Sequence, residues 1–406
     1  MSLALTAPLA AQGTVHVVDD DGGAGVDFTQ VQAAVTAAAE CDTILVREGV
    51  YAPVSIEGKG LTIVAEAGEA PSILGTLEIT PLAEGQWVTI RGLDVVIPLG
   101  FGPVQVASGA GAVLFEDCDF RNGNLGQFGF TASAVLVEGS ERVAFVACSF
   151  EGSAGGLPAG GGHGLVVRDA GVHLYDSVGL GGEGATGATV DAGDAVWVED
   201  GFVFASGCEL TGGAGGKGVT LSVPFPPFQI CYDGGQGGNG LTLTGASPAA
   251  VLLDGTFIGG VGGGSPPGCS TGASGAATEA PPGQLQLLSG SAHSFTATSP
   301  VREFQRAELC FAGLPGEQVV AVLGFAPDAS FFPALAGTLL VETGSAQLLS
   351  LGSTGRGGTL SLQVQVPPFL GTGQGATLLL QPIFVDGGGA MVLGGASALV
   401  VLSQSI

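Results

Sequence analysis

The side chains able to do acid–base or nucleophilic work are few and scattered. The closest approach to a cluster is Arg168-Asp169 with His173 five residues on, a cation, a carboxylate and an imidazole within one short stretch. His163 stands apart between two glycines, in Gly162-His163-Gly164. An arginine beside a carboxylate suits proton abstraction from an acidic sugar carbon, and a carboxylate with an imidazole suits general acid–base catalysis. If the chain is an enzyme, His163, Arg168 and Asp169 are its catalytic candidates; the bland alternative is rung surface and turn. Asp19-Asp20-Asp21-Gly22-Gly23 carries carboxylates at the spacing a Ca²⁺ ion accepts, and Asp233 opens a second acidic, glycine-rich loop. Asp19, Asp21 and Asp233 are therefore weak metal candidates, against the simpler reading of solvated turns. No Cys-x-x-Cys or Cys/His cluster points to zinc, and no cofactor other than Ca²⁺ is expected.

Phe225 and Phe228 sit in the proline-stiffened run Pro224-Phe-Pro-Pro-Phe228, with Tyr232 near it. Aromatic side chains on a stiff loop make ligand-binding surfaces, so this segment is the first place to look for a carbohydrate or partner contact. The counter-reading is a lid folded onto the chain's own side. Cys231 and Cys269 lie in two glycine- and proline-rich insertions, where an oxidised pair would pin two flexible loops.

Composition narrows the partners. Acidic residues outnumber basic ones 36 to 10 in 406 residues, a net charge of −26. Such a surface repels phosphate backbones and anionic lipid, which excludes nucleic-acid binding and polybasic membrane attachment. It also disfavours unassisted binding of polyuronates. Only 11 % of residues are charged while 46 % are hydrophobic, and 74 are glycine. No apolar run escapes interruption long enough to span a bilayer. Residues 1–12 read as the tail of a secretory signal, with Leu9-Ala10-Ala11 before Gln12 a loose cleavage site and the true start upstream of Met1; secretion or display at the cell surface follows.

The elements that position these residues announce themselves as a repeat. Phe115-Glu-Asp-Cys118-Asp-Phe120, Phe145-Val-Ala-Cys148-Ser-Phe150, Tyr175-Asp-Ser-Val178-Gly-Leu180 and Ala205-Ser-Gly-Cys208-Glu-Leu210 align with a period of 30. A fixed period of this size means stacked supersecondary units, and the alternation within each unit is that of strands. Cys118, Cys148 and Cys208 then form an inward ladder of thiols, with Val178 as its fourth member. Each unit carries a second strand (Ala134–Val137, Leu165–Val167, Ala195–Val198, Leu241–Leu243) and a long glycine-rich loop at 153–164, 181–194, 211–240 or 259–276. The loops are expected on one side of the solenoid. The register further places Arg121 beside Glu151, Glu138 beside Arg168 and Arg91 beside Glu116, as cross-strand ion pairs. Asp27 to Ala39 has the apolar face of a helix (Phe28, Val31, Ala34, Val35, Ala38), with Asp27 as its cap.

Asp27-Phe-Thr-Gln-Val-Gln-Ala-Ala-Val, Asp42-Thr-Ile-Leu-Val, Gly49-Val-Tyr51 and Lys59-Gly-Leu-Thr-Ile63 together resemble the opening of right-handed parallel β-helix proteins, the superfamily of pectate lyases, pectin methylesterases and polygalacturonases. The resemblance covers residues 14–295 and implies the fold, with a helix capping the N-terminal end; it does not by itself imply an activity. Gly162-His163-Gly164 matches the polygalacturonase Gly-His-Gly element, but the Asn-Thr-Asp, Asp-Asp and Arg-Ile-Lys companions are missing, as are the methylesterase strand motifs.

From about Pro300 the period disappears and short alternating strands with tight turns follow, the pattern of a β-sandwich. This part resembles small all-β modules at the C-termini of secreted bacterial proteins. The sequence thus predicts an all-β chain: residues 13–298 a right-handed parallel β-helix with an N-terminal capping helix, residues 299–406 a C-terminal β-sandwich. The expected function is an extracellular structural or adhesion protein that binds polysaccharide or a cell-surface component, or associates with itself. The alternative is a divergent polysaccharide lyase or glycoside hydrolase.

Overall fold

Three parallel sheets carry residues 15–288, each strand one rung of a solenoid. The computed structural model describes residues 12–98, 100–123, 132–156, 159–187, 189–224, 227–368 and 373–406. The inner sheet has ten strands, from Val15–Val18 to Leu285–Leu288. A second sheet of eight runs from Val50–Tyr51 to Thr256–Ile258, and a third of eight from Val54–Ile56 to Thr278–Glu279. Every pairing within them is parallel and sequential, which is a parallel β-helix.

One left-handed residue turns the chain from the inner sheet to the second sheet on successive rungs: Gly92, Asp117, Ala147, Asp176, Gly207 and Asp254, with φ between 46° and 72°. Glycine has no Cβ to clash there, and Asp is among the few other residues that tolerate this region. Asp169 and Asp200 do the same at the corner that leads back to the inner sheet. Five aspartates are thus corner residues.

Inside, side chains of like type stack rung on rung. Phe115 lies flat on Phe145 (4.9 Å, 6°) and Phe120 on Phe150 (5.7 Å, 9°), while Phe120 meets Phe145 edge-on. The thiol ladder corrects the strict 30-residue alignment. Val143 pairs with Val172 and Ser149 with Val178, so the rung partner of Cys148 is Ser177. The corner after Arg168 is one residue shorter than the corner after Glu138, which shifts the register by one. Ser177 is buried, accepts the Cys148 N–H at 3.2 Å and donates to the Tyr175 carbonyl at 2.9 Å, whereas Val178 is exposed. Cys118, Cys148 and Cys208 are free thiols, each donating to a backbone carbonyl two residues earlier.

The capping helix is shorter than its apolar pattern suggests, Val31–Ala37. Asp27 does not cap it; its carboxylate accepts the Val17 N–H at 2.9 Å, and Phe28 bridges to Val18, which holds both residues extended. Val31, Ala34 and Val35 are buried over the first rung. Lys59 Nζ donates to the Val35 and Ala38 carbonyls (3.0 and 2.9 Å), filling acceptors that the helix end leaves open.

The sandwich begins at Ser294–Ala297, a few residues before the expected boundary. Its three-stranded sheet covers one face of a larger, mainly antiparallel sheet, burying Phe295, Phe311, Leu380 and Phe384 between them. The other face of the larger sheet lies on the solenoid's inner sheet: Leu379, Leu393 and Ala398 meet Leu114, Tyr175 and Phe204, and Val400 and Leu402 meet Leu45 and Val64. The result is three β layers on one edge of the solenoid. Gln12–Gly13 pairs with the sandwich strand Gly375–Val385, so the chain's first described residues also belong to that layer; residues 1–11, where the signal-like run falls, lie outside the described residues. Arg91 and Glu116, predicted partners, form the buried centre of the junction. Arg91 binds Glu116 at 2.6 Å and donates to the Ala297 and Ala398 carbonyls, and Glu116 accepts from Ser397 and from the Ala398 N–H.

Candidate functional site

The glycine-rich segments leave the solenoid at one corner, as expected, but they are not loops in any loose sense. Among the described residues each leaves and returns as an extended arm, successive arms stack, and the strand pairing in these segments is that of the short hairpin within 211–240. Outgoing arms bond at every third residue: Gly181, Gly184 and Gly187 donate to Thr211, Ala214 and Lys217 (2.8–2.9 Å), and Gly212, Gly215 and Gly218 to Ile258, Val261 and Gly264. A second series zigzags between outgoing and returning arms, from Gly193 to Gly182, Gly213 to Gly193, Gly238 to Gly213, Gly260 to Gly238 and Gly275 to Gly260. The three-residue period is that of polyproline II, and as in collagen glycine is required where backbones meet. A Cβ on Gly193 would overlap the Gly162 carbonyl, and one on Gly213 the Gly182 carbonyl. Two of every three positions face other backbones; the third side chain faces out.

On the returning arms that third residue is an acceptor that satisfies the next arm. Asp194 accepts the Asn239 N–H (2.6 Å), Asn239 the Ala276 N–H (2.6 Å), Asp191 the Gln236 N–H (2.7 Å) and Asp233 the Ser270 N–H (2.6 Å). His163 heads this column, its Nδ1 accepting the Asp194 N–H at 3.0 Å. Burial holds the imidazole below its ordinary pKa, with Arg168 adding to that effect and Asp194 opposing it, and an accepting Nδ1 requires the neutral ring. Its ring stacks on Trp197 (5.7 Å, 13°), which also carries the Arg168 guanidinium at 5.6 Å.

On the outgoing side the third residues Ala154, Glu183, Ala214 and Val261 face the second sheet across an axial groove of about 820 Å³. The opposite wall is the sheet's outward column Val96, Arg121, Glu151, Leu180, Thr211 and Ile258, in continuous register. Six rungs are separated by five spacings of about 4.8 Å, which makes it roughly 24 Å long. Leu180, Ile258 and Val261 expose 41, 45 and 67 % of their surface, so the groove is apolar at one end and charged at the other.

At the charged end stands a constellation that sequence reading missed. Asp94 and Asp119 are register partners on adjacent rungs, and Arg121, two residues beyond Asp119, reaches both: Nη2 to Asp94 Oδ2 at 3.1 Å and Nε to Asp119 Oδ2 at 2.8 Å. Ser149 on the third rung donates to Asp119. Burial, and then the Asp119 charge, push the Asp94 carboxyl above its usual range, with Arg121 opposing. Adjacent carboxylates in unlike environments are the raw material of acid–base chemistry. The signal available in the sequence was the 25-residue register between Arg91 and Glu116, which also carries Asp94 to Asp119.

The predicted site residues do not converge. Arg121 is level with Glu151 but pairs with Asp94 and Asp119, and Arg168 is level with Glu138 but pairs with Glu199 (3.1 Å). Of the three predicted ion pairs, Arg91–Glu116 forms and these two are replaced by nearer carboxylates. His163 and Asp169 lie beyond opposite ends of the strand Leu165–Arg168. Asp169 borders a cleft of about 600 Å³ beside the sandwich with Glu141, Asp200 and His173. His173 is buried against Thr338 (2.9 Å), and burial holds its pKa down at about 3. Asp19 faces Arg47 at 3.5 Å and accepts the Asp21 N–H, while Asp233 serves the lattice. Among the described residues no group of three or more His, Cys, Asp or Glu side chains is arranged to hold a metal ion. Phe225 lies outside the described residues. Phe228 is in an antiparallel hairpin, Thr220–Pro224 with Pro227–Cys231, and Tyr232 at its base is half-buried. Cys231 and Cys269 form a disulfide (Cα–Cα 5.6 Å) that ties this hairpin to the last glycine arm.

Among the described residues no helix is long and apolar enough to cross a membrane. No family model matches the chain, and no curated protein matches it. Among solved structures, it is similar to the enzymatically active domain of tailspike protein 2 from bacteriophage CBA120 (10 % identity, TM-score 0.30, covering 90 % of this chain and 66 % of that one). It is also similar to full-length tailspike protein 2 of the Escherichia coli O157:H7 phage (10 % identity, TM-score 0.23, 90 % and 60 % covered). The chain spans less than two thirds of either protein.

Proposed function

We propose that this is an extracellular or cell-surface binding protein that seats an extended glycan in the axial groove. The observation that carries the reading is the groove: straight over six rungs, walled on one side by a hydrogen-bonded glycine lattice and on the other by a single register column. A polymer of regular repeat fits a surface of regular repeat, and a wall of fixed backbone adds little ordering cost on binding. The test is a glycan-array screen with and without Ca²⁺, repeated with Ala214→Trp, which fills the groove from its lattice wall. Binding by the parent and loss in the variant is the expected result; binding that survives the indole places the ligand elsewhere, with the hairpin around Tyr232 next to be examined.

A second reading, glycoside cleavage, is favoured by Asp94 and Asp119. Stacked one rung apart, they approach the separation of about 5 Å used by retaining pairs, and burial raises the Asp94 pKa, as a general acid requires. Against it stands Arg121, which neutralises both carboxylates in the resting state. Release of reducing sugar, abolished by Asp119→Asn and by Asp94→Asn, would establish the enzyme; binding without release supports the scaffold.

A further inference from the structure

The two ends of the solenoid are built differently. At the first rung the inward columns are sealed: Val18 is fully buried in one cluster with Val31, Ala34 and Val35 of the helix, and its inward neighbour His16 leaves only 16 % of its side chain exposed. At the last rung the same columns stand open. Leu287 is the register partner of Leu252, which is 3 % exposed, yet Leu287 is 71 % exposed; Phe257 follows the fully buried Leu210 and is only half-buried. The strands Thr256–Ile258, Thr278–Glu279 and Leu285–Leu288 are each the terminal member of their sheet, so three parallel edges end together with their outer donors and acceptors unclaimed by a further strand.

This end is also almost without charge. Between Gly255 and Ala292 the only charged side chain is Glu279, and it is held from behind by Asn239 Nδ2 at 2.7 Å. The capped end, in contrast, exposes Asp20, Asp21, Glu40 and Glu57. Two molecules of net charge −26 repel each other across most of their surfaces, but not across this one.

We infer that the last rung is the interface with a second copy of this chain, the two solenoids meeting end to end about a twofold axis. A partner must offer a strand edge and an apolar core to match, and the open end of another copy offers both. The capped end cannot, because its helix and carboxylates stand in the way, so head-to-tail growth is excluded and the assembly closes as a dimer. The twofold axis brings Leu285–Leu288 antiparallel to its own copy.

Sedimentation and light scattering on the purified chain, with hydrogen exchange in dilute and concentrated solution, test this. The expected result is a dimer whose amides at 278–288 gain protection with concentration, and which Leu287→Lys converts to a monomer of unchanged circular dichroism. A monomer at the highest soluble concentration overturns the inference. So does a dimer whose protection falls elsewhere, an open-ended fibre, or a dimer indifferent to Leu287→Lys. If the variant misfolds, the exchange pattern of the parent decides alone.

Discussion

Replacing Gly193 by alanine tests whether the glycine hairpins are a lattice or a coil. The new Cβ would sit inside the Gly162 carbonyl, and that oxygen already accepts the Gly182 N–H at 2.8 Å. Gly193 itself donates to Gly182 and accepts from Gly213 (2.8 and 2.9 Å), so moving the arms apart strains three bonds at once. Overpacking of this kind costs about 1–3 kcal/mol, and each weakened hydrogen bond about 1 kcal/mol. Against that, removing a glycine stiffens the unfolded chain by about 0.4–1 kcal/mol. The net expectation is a local destabilisation of about 3–5 kcal/mol. Gly264 is the control: it accepts the Gly218 N–H in the same lattice, yet a Cβ there meets nothing within 4 Å. Because stacked repeats open locally, the readout is amide exchange across residues 181–240 together with denaturant unfolding. Faster exchange in Gly193→Ala and parent-like exchange in Gly264→Ala is the expected pair. Equal tolerance of both substitutions would show that the arms have room to move, and the rigid-wall reasoning would fail.

Arg91→Ala leaves Glu116 buried without its cation, and should cost about 3–5 kcal/mol at the solenoid–sandwich junction by thermal unfolding, more than Glu116→Gln. Asp176 is held by burial at a pKa of about 6, against an ordinary 3.8. The folded state therefore keeps a proton that the unfolded state has lost between those values, and stability falls as pH rises through that window. Asp176→Asn, which keeps the left-handed corner, should stabilise the protein at pH 7 and make no difference at pH 3; a constant gap at both would refute this cause. Cys231→Ser opens a loop closed across 38 residues, for which chain entropy predicts about 4 kcal/mol, felt locally as faster proteolysis within 219–232.

Much of the solenoid was legible because its physics is one-dimensional. Each rung sees only its neighbours, so the spacing of Phe115, Phe145, Cys118 and Cys148 carries both strand identity and register, and Arg91 could be matched to Glu116 across 25 residues. The slip at Ser177 escaped because one corner is a residue shorter, and a period alone does not reveal corner lengths. Register is a weaker guide to ion pairs than to strands: Arg121 and Arg168 are level with Glu151 and Glu138, yet their long side chains reach nearer carboxylates. The glycine segments looked like flexible connections because flexibility and close backbone packing ask for the same residue; only the stacking of several hairpins distinguishes them. His163, singled out for its glycine neighbours, is a lattice acceptor for the same reason. Asp94 and Asp119 carry no motif, and their pairing emerges only when Arg121 is seen to span two rungs.

The most direct test is equilibrium binding of an extended neutral glycan to the parent chain and to Ala214→Trp, with Leu221→Trp on the hairpin as a comparison, since Leu221 is exposed and does not line the groove. A groove that seats the polymer predicts saturable binding by the parent and the Leu221 variant, and at least a tenfold loss in Ala214→Trp, about 1.4 kcal/mol or more. Undiminished binding in Ala214→Trp, or loss in Leu221→Trp alone, would contradict it.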